Sequence, residues 1–201
     1  MRVDLASLGT FNRIGTAGAD KAADALSTLT GAETFVQTTK VNFTPIDSIE
    51  TLFSDAETTV AVDFDGGLEG HALLVFDEAS AQFVLDELSG AGPDPDRAYL
   101  NEVGNIMTSG FIDGWAEQLT ETIDISTPTT VEDPVQRVPN DDLAEFSFVF
   151  ESDIEVGAPG HECRFYLLPD PESFLGMLQE AGDQARSSSV SIRELSTFIR
   201  L

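Results

Sequence analysis

The chain has 201 residues, 41% of them hydrophobic, with 36 Asp and Glu against 10 Lys and Arg and a formal net charge of -26. That apolar content supports a compact core and excludes a disordered acidic tail, while so negative a surface excludes nucleic acid as a partner, because phosphate binding needs basic groups. One cysteine, Cys163, and two histidines exclude an internal disulfide scaffold and the common Cys/His zinc frameworks, so no metal site is expected.

The N-terminus, Met1-Arg2-Val3-Asp4, lacks the basic and apolar regions of a signal peptide, and no apolar run approaches the roughly 20 residues that cross a bilayer. No membrane insertion and a cytoplasmic location are the expectation. Leu5, Leu8, Phe11, Ile14, Gly15, Gly18, Ala22, Ala25, Leu26 and Leu29 recur at three- and four-residue steps, which predicts an amphipathic helix over about 4–30, ended by Gly31. Runs rich in β-branched and aromatic residues follow at Thr34–Thr38, Val41–Thr44, Thr58–Phe64 and His71–Phe76; in the third, Val60, Val62 and Phe64 alternate with Thr59, Ala61 and Asp63 as in a half-buried strand. A helix over about 78–88 leads to the Gly- and Pro-rich linker 89–96, where Asp94 or Asp96 can cap what comes next.

After the linker the order begins again, with a helix over about 96–121, strands near 122–131, 143–151 and 161–168, and a helix over about 170–181. A shift of 89 residues lays Phe11 on Leu100, Ile14 on Val103, Gly15 on Gly104, Leu26 on Trp115 and Leu29 on Gln118, and one further residue lays Gly70-His71 on Gly160-His161. The chain therefore reads as two copies of one helix-plus-strands unit, about 4–90 and 96–181. Two such units join most simply into one sheet flanked by two long helices around a pseudo-twofold axis, an α/β fold of the α+β kind within a single domain over 1–186. Residues 187–201 lie outside the repeat. There Ser187-Ser188-Ser189 reads as a joint before a short helix with an apolar stripe, which either packs back on the domain or binds a partner.

On the 96–121 helix, Tyr99, Val103, Met107, Gly110 and Gly114 share a face, with Leu100 and Phe111 beside it, and that face is expected to meet the core. The opposite side carries Glu102, Asn105, Ser109 and Ala116, flanked by Asp113 and Ile112. Glu102 and Asn105 are three residues apart, so a carboxylate and a carboxamide emerge as neighbours. Small residues beside them leave room for another protein, with Ser109 and Asp113 facing it. Taken by itself, a Glu-x-x-Asn pair is also what an ordinary solvated helix face carries. His71 and His161 read as strand-start residues, with no carboxylate at a spacing that completes a metal site; Cys163 and Trp115 read as core.

Glu102-Val103-Gly104-Asn105-Ile106-Met107, with Pro128 lying 23 positions beyond Asn105, resembles the Glu-x-x-Asn-x22-Pro signature of the CheC/CheX/FliY chemotaxis phosphatases. The segment Gly15–Ser27 is similar to the first motif of CheC, so the resemblance spans both repeats and is closest to CheC. In the first copy the three signature places hold Arg13, Thr16 and Thr39, which implies a degenerate first site; in the second, Ala98 stands where the family often has Ser or Asp. The resemblance implies a CheC-like fold and, as substrate, the phosphoaspartate of the response regulator CheY. Asn105 would position the attacking water and Glu102 would pair with the receiver's lysine, while Pro128 sets chain direction. No cofactor of its own is implied, because the receiver brings the divalent cation, Mg2+. The resemblance also admits a non-catalytic adaptor that binds the receptor deamidase CheD. With the acid surplus, which suits a highly salted cytosol where the Debye length falls to about 3 Å or less, it points to a halophilic archaeon.

Overall fold

A computed structural model describes residues 5–54, 56–89, 98–138, 146–157 and 159–177. Residues 90–96 of the expected linker 89–96, with its capping aspartates, and the extension 187–201 lie outside the described residues.

The first predicted helix is α1, Leu5–Thr30. Gly31, at φ 75°, adopts the left-handed conformation that a residue with a Cβ resists, and its N–H closes on the Ser27 carbonyl at 2.9 Å. Strand β1, Thr34–Pro45, is continuous where the sequence predicts two short runs, because a bulge at Gln37 absorbs the irregularity. A 3-10 segment, Ile46–Phe53, precedes β2, Thr58–Gly66, and β3, Gly70–Phe76. Helix α2, Glu78–Ser89, opens on Asp77, whose carboxylate accepts from the Ser80 N–H at 2.7 Å and is thereby held below its ordinary pKa.

The second half runs α3, Ala98–Leu119; β4, Ile123–Ile125; β5, Thr129–Val131; a 3-10 turn, Pro134–Arg137; β6, Phe146–Val156; β7, Glu162–Pro169; and α4, described over 171–177. Neither 3-10 segment is predicted by periodicity. All strand pairs are antiparallel and form one sheet in the order β1-β6-β7-β3-β2-β4, with β5 also paired to β2. The order is symmetric about the β3·β7 pair: β7 answers β3, β6 answers β2, and the β4/β5 pair answers β1. This is the predicted two-copy architecture.

The two long helices lie on the same face of the sheet, packed on one another. An added Cβ on Gly18 would sit 2.9 Å from Trp115 Cδ1 and 3.0 Å from the Phe111 carbonyl, and one on Gly114 would sit 2.9 Å from Gly18 Cα. Only glycine permits this approach. Beneath the crossing, Phe11, Phe111, Trp115, Phe150, Phe165 and Phe174 are fully buried among the aliphatic side chains of β2, β3 and β7. The opposite face of the sheet is covered by the two 3-10 segments, which seat Ile49, Phe53 and Val138 against Leu73, Val149 and Tyr166.

Helix α3 ends on Thr120, a β-branched residue at φ 60°, with the Glu121 N–H reaching the Ala116 carbonyl at 3.2 Å. A threonine there is strained where glycine is not, so Thr120→Gly is expected to raise the unfolding free energy by about 1 kcal/mol, read from denaturant unfolding in molar KCl. An unchanged or lower value would show that the left-handed turn carries no strain.

Candidate functional site

The outward side of α3 and the β4–β5 connection enclose one open groove of about 490 Å3, lined by Ala98, Asn101, Glu102, Asn105, Ile125, Ser126, Thr127 and Pro128. The three residues of the predicted second-copy signature, Glu102, Asn105 and Pro128, thus line the same space although they come from two elements.

Two features of the sequence build this groove. Gly104 lets α3 lie directly on β2, since a Cβ there would stand 2.5 Å from Val60 Cγ1. On the far side, β4 pairs with Phe64–Gly66 and β5 with Thr59–Ala61, leaving Ser126, Thr127 and Pro128 opposite Val62 and Asp63. Three residues therefore span a gap of two, and the chain bows out of the ladder. Pro128 has no N–H to give to a sheet. Ser126 holds the bow in place: its N–H donates to the Asp63 carbonyl at 2.8 Å, and its hydroxyl accepts from the Asp63 N–H at 2.9 Å. At the helix end, Thr130 donates its hydroxyl to Asn101 Oδ1 at 3.1 Å, tying the first turn of α3 to β5.

Within the groove Glu102 is exposed and Asn105 half-buried, and among the described residues no hydrogen bond occupies either side chain. Both are open to an incoming group. The carboxamide can accept from one partner and donate to another, and the carboxylate can take a cation. Ser109 is half-buried with its hydroxyl donated back to the Asn105 carbonyl at 2.8 Å, while Asp113 is exposed. Ile112, expected beside the outward face, is buried, and Tyr99, expected in the core, is 49% exposed. Both misplacements arise at the edges of the apolar stripe, where helical periodicity alone does not say which side a neighbouring element covers. Asn101, four residues before Asn105, was accessible from helical spacing; Ser126 and Thr127 carry no signal in a single sequence.

At the corresponding place in the first half, the equivalent strand β1 stays paired to β6 through a one-residue bulge at Gln37. Thr39 sits in β1 opposite Ser152, its Oγ1 3.2 Å from Ser152 Oγ, and its methyl group faces Gly15. Arg13 is exposed and donates to Thr10 Oγ1 at 3.3 Å, and Thr16 donates to the Asn12 carbonyl at 3.0 Å. Without a proline, Thr38 and Thr39 keep their places in the ladder, and the one extra residue is taken up at Gln37 alone.

The histidines need one correction. A carboxylate does stand beside His71, but it comes from the neighbouring strand: Asp63 Oδ1 lies 2.7 Å from His71 Nδ1 and also accepts from Arg137 at 3.1 Å. Cross-strand register brings together what spacing along one strand does not show. His161 stacks on Phe83 with ring centroids 4.4 Å apart. Among the described residues no group of three or more His, Cys, Asp or Glu is placed to hold a metal, and no helix is long and apolar enough to cross a membrane. Cys163 is buried, which pushes its thiol pKa up to about 12, so it is no nucleophile.

A sequence model of the CheC-like family matches residues 97–132, the stretch that builds the groove. CheC1 of Halobacterium salinarum, a protein provisionally named a CheY-P phosphatase, is 35% identical over 193 residues, spanning 88% of this chain and 96% of that one. Among solved structures, FliY of Thermotoga maritima aligns with a TM-score of 0.68 at 23% identity, over 89% of this chain and 97% of that one. A CheX chain from the CheX–CheY–BeF3–Mg2+ complex of Borrelia burgdorferi aligns with a TM-score of 0.53 at 19% identity, over 84% and 99% of the two chains. These two likenesses establish a shared fold.

Proposed function

The chain belongs to the CheC-like family, and from that membership and the groove on α3 we propose that it hydrolyses the phosphoaspartate of a phosphorylated CheY receiver. The observation that carries this reading is the convergence of Glu102, Asn105 and Pro128 on one open groove, with both polar side chains unengaged among the described residues.

Hydrolysis of an acyl phosphate needs little covalent help. It needs a water held in line with the scissile P–O bond and compensation for charge on the equatorial oxygens. The receiver supplies the aspartyl phosphate, a lysine and the divalent cation, Mg2+. What this chain adds is position. Asn105 enters the receiver's pocket, and its carboxamide oxygen accepts a hydrogen bond from the water as that water's oxygen bonds to phosphorus, the aspartyl P–O bond breaks to free the aspartate carboxylate, and the water's proton passes to a phosphoryl oxygen. An amide cannot take the proton, so it orients the water and does not act as a general base. Glu102, one turn earlier, pairs with the receiver lysine and fixes the register of α3 on the receiver. The bow at Ser126–Pro128, tied to Asp63, walls the groove and sets how deeply α3 reaches. No covalent intermediate on this chain is needed, and the first-copy place, with Arg13, Thr16 and Thr39, has neither group.

The test is decay of phosphorylated CheY with and without the chain across a series of KCl concentrations. Faster decay in the presence of the chain is expected, with association strengthening up to molar salt as repulsion between two acidic proteins is screened. An unchanged decay rate at every salt concentration would overturn the phosphatase reading. Binding that weakens steadily with salt would overturn the screening argument.

A further inference from the structure

We propose that Tyr99 and Ile106 are the apolar anchors that seat the receiver on α3, setting affinity while Asn105 sets turnover; this rests on the phosphatase reading above. Tyr99 lies three residues before Glu102 and Ile106 four after it, so the two side chains stand one turn above and one turn below the carboxylate on the same strip of helix. The groove with Asn101 and Asn105 runs along one side of that strip, and the buried side of α3, with Val103 and Met107, lies on the other.

Three observations point to a protein surface rather than to solvent. Tyr99 is 49% exposed while the apolar residues that follow it on α3, Leu100, Val103, Met107 and Phe111, are fully buried. Of Ala98–Ser109, the seven residues that are not buried, Ala98, Tyr99, Asn101, Glu102, Asn105, Ile106 and Ser109, hold one acidic side chain, Glu102, and no basic one. A helix surface with a single charge and an exposed tyrosine has the composition of an interface centre, where tyrosine is among the residues that carry most binding energy. The strip also adjoins the groove, so a body that receives Asn105 must lie over Tyr99 and Ile106. The occupant is therefore the receiver surface surrounding its acyl-phosphate pocket, and it must offer an apolar contact. Such a contact suits high salt, because burial of apolar surface survives screening while exposed ion pairs are weakened by it.

Binding and turnover are read separately. Affinity is measured for cognate CheY activated with beryllofluoride and Mg2+, in molar KCl, against the wild-type chain and the Tyr99→Ser, Ile106→Ser, Tyr99→Phe and Asn105→Ala variants. Tyr99→Ser is expected to raise Kd at least tenfold and Ile106→Ser several-fold, with Tyr99→Phe close to wild type. At saturating phosphorylated CheY, kcat of Tyr99→Ser is expected to remain near wild type, since Asn105 still meets the water. Asn105→Ala is expected to bind as wild type does. A Kd unchanged in Tyr99→Ser, or a fall in kcat without a change in KM, would overturn the anchor role. If the wild-type chain binds the activated receiver with a Tyr99-dependent Kd but leaves phosphorylated CheY intact, docking stands and catalysis falls. If it does not bind the receiver at all, both fall.

Discussion

Asn105→Ala is expected to lower receiver dephosphorylation by about 100-fold, to near the decay of phosphorylated CheY alone, with binding of the activated receiver unchanged. The size follows from what the carboxamide is proposed to do. A loosely held water loses the orientational advantage of an in-line attack, and an alanine offers nothing in its place. The substitution should be structurally silent: Asn105 is half-buried in the groove, among the described residues its side chain bonds to nothing, and alanine favours the helix. Asn105→Asp tests position against charge. A carboxylate of nearly the same shape beside a phosphoryl group repels it, so this variant should fall as far as alanine does. Recovery of activity in Asn105→Asp would instead indicate a general base, and retention of activity in Asn105→Ala would remove the residue from the mechanism.

The second large effect concerns stability. Trp115 is fully buried where α1 crosses α3 and meets Phe150 edge-on with centroids 4.7 Å apart, while Phe11 and Phe111 lie at 6.0 Å. Its ring also fills the space that the missing Cβ of Gly18 leaves open. Trp115→Ala deletes that contact, and the glycine-tight crossing above it cannot collapse into the cavity. A loss of about 4 kcal/mol is expected, a large part of the total for a domain of this size, read from denaturant unfolding in molar KCl. Trp115→Phe should cost much less. Phenylalanine keeps most of the ring contact and removes an indole N–H that is buried with no partner among the described residues. A loss below about 1 kcal/mol in Trp115→Ala would mean that the helix crossing is not where the two halves are held together.

Much of this architecture is legible in the sequence because it repeats. The register that lays Gly15 on Gly104 and Leu26 on Trp115 predicts two long helices and their strands, and α1 and α3 fall within about two residues of the predicted limits. The Glu-x-x-Asn pair and Pro128 are legible too, as a spacing. What the spacing does not carry is the groove. That depends on a ladder in which β4 and β5 grip β2 at separate places, so that three residues bow out opposite two. Single-sequence periodicity reads the stretch 122–131 as one strand, since nothing local marks where pairing stops except the proline. The first half makes the same point from the other side. Thr39 stands in Pro128's place, and although 37–39 also face two residues of β6, Thr38 and Thr39 stay paired and only Gln37 leaves the ladder. The Asp63–His71–Arg137 contact and the exposure of Tyr99 are likewise decided by neighbours distant in sequence.

The most direct measurement is a structure of the chain bound to CheY carrying beryllofluoride and Mg2+. The Asn105 carboxamide is expected beside the beryllofluoride group, at a distance that fits one water in line with the aspartyl oxygen, with Glu102 on the receiver lysine and Tyr99 covered. A receiver seated on any other face, with the Glu102–Asn105–Pro128 groove left open to solvent, would contradict the catalytic assignment.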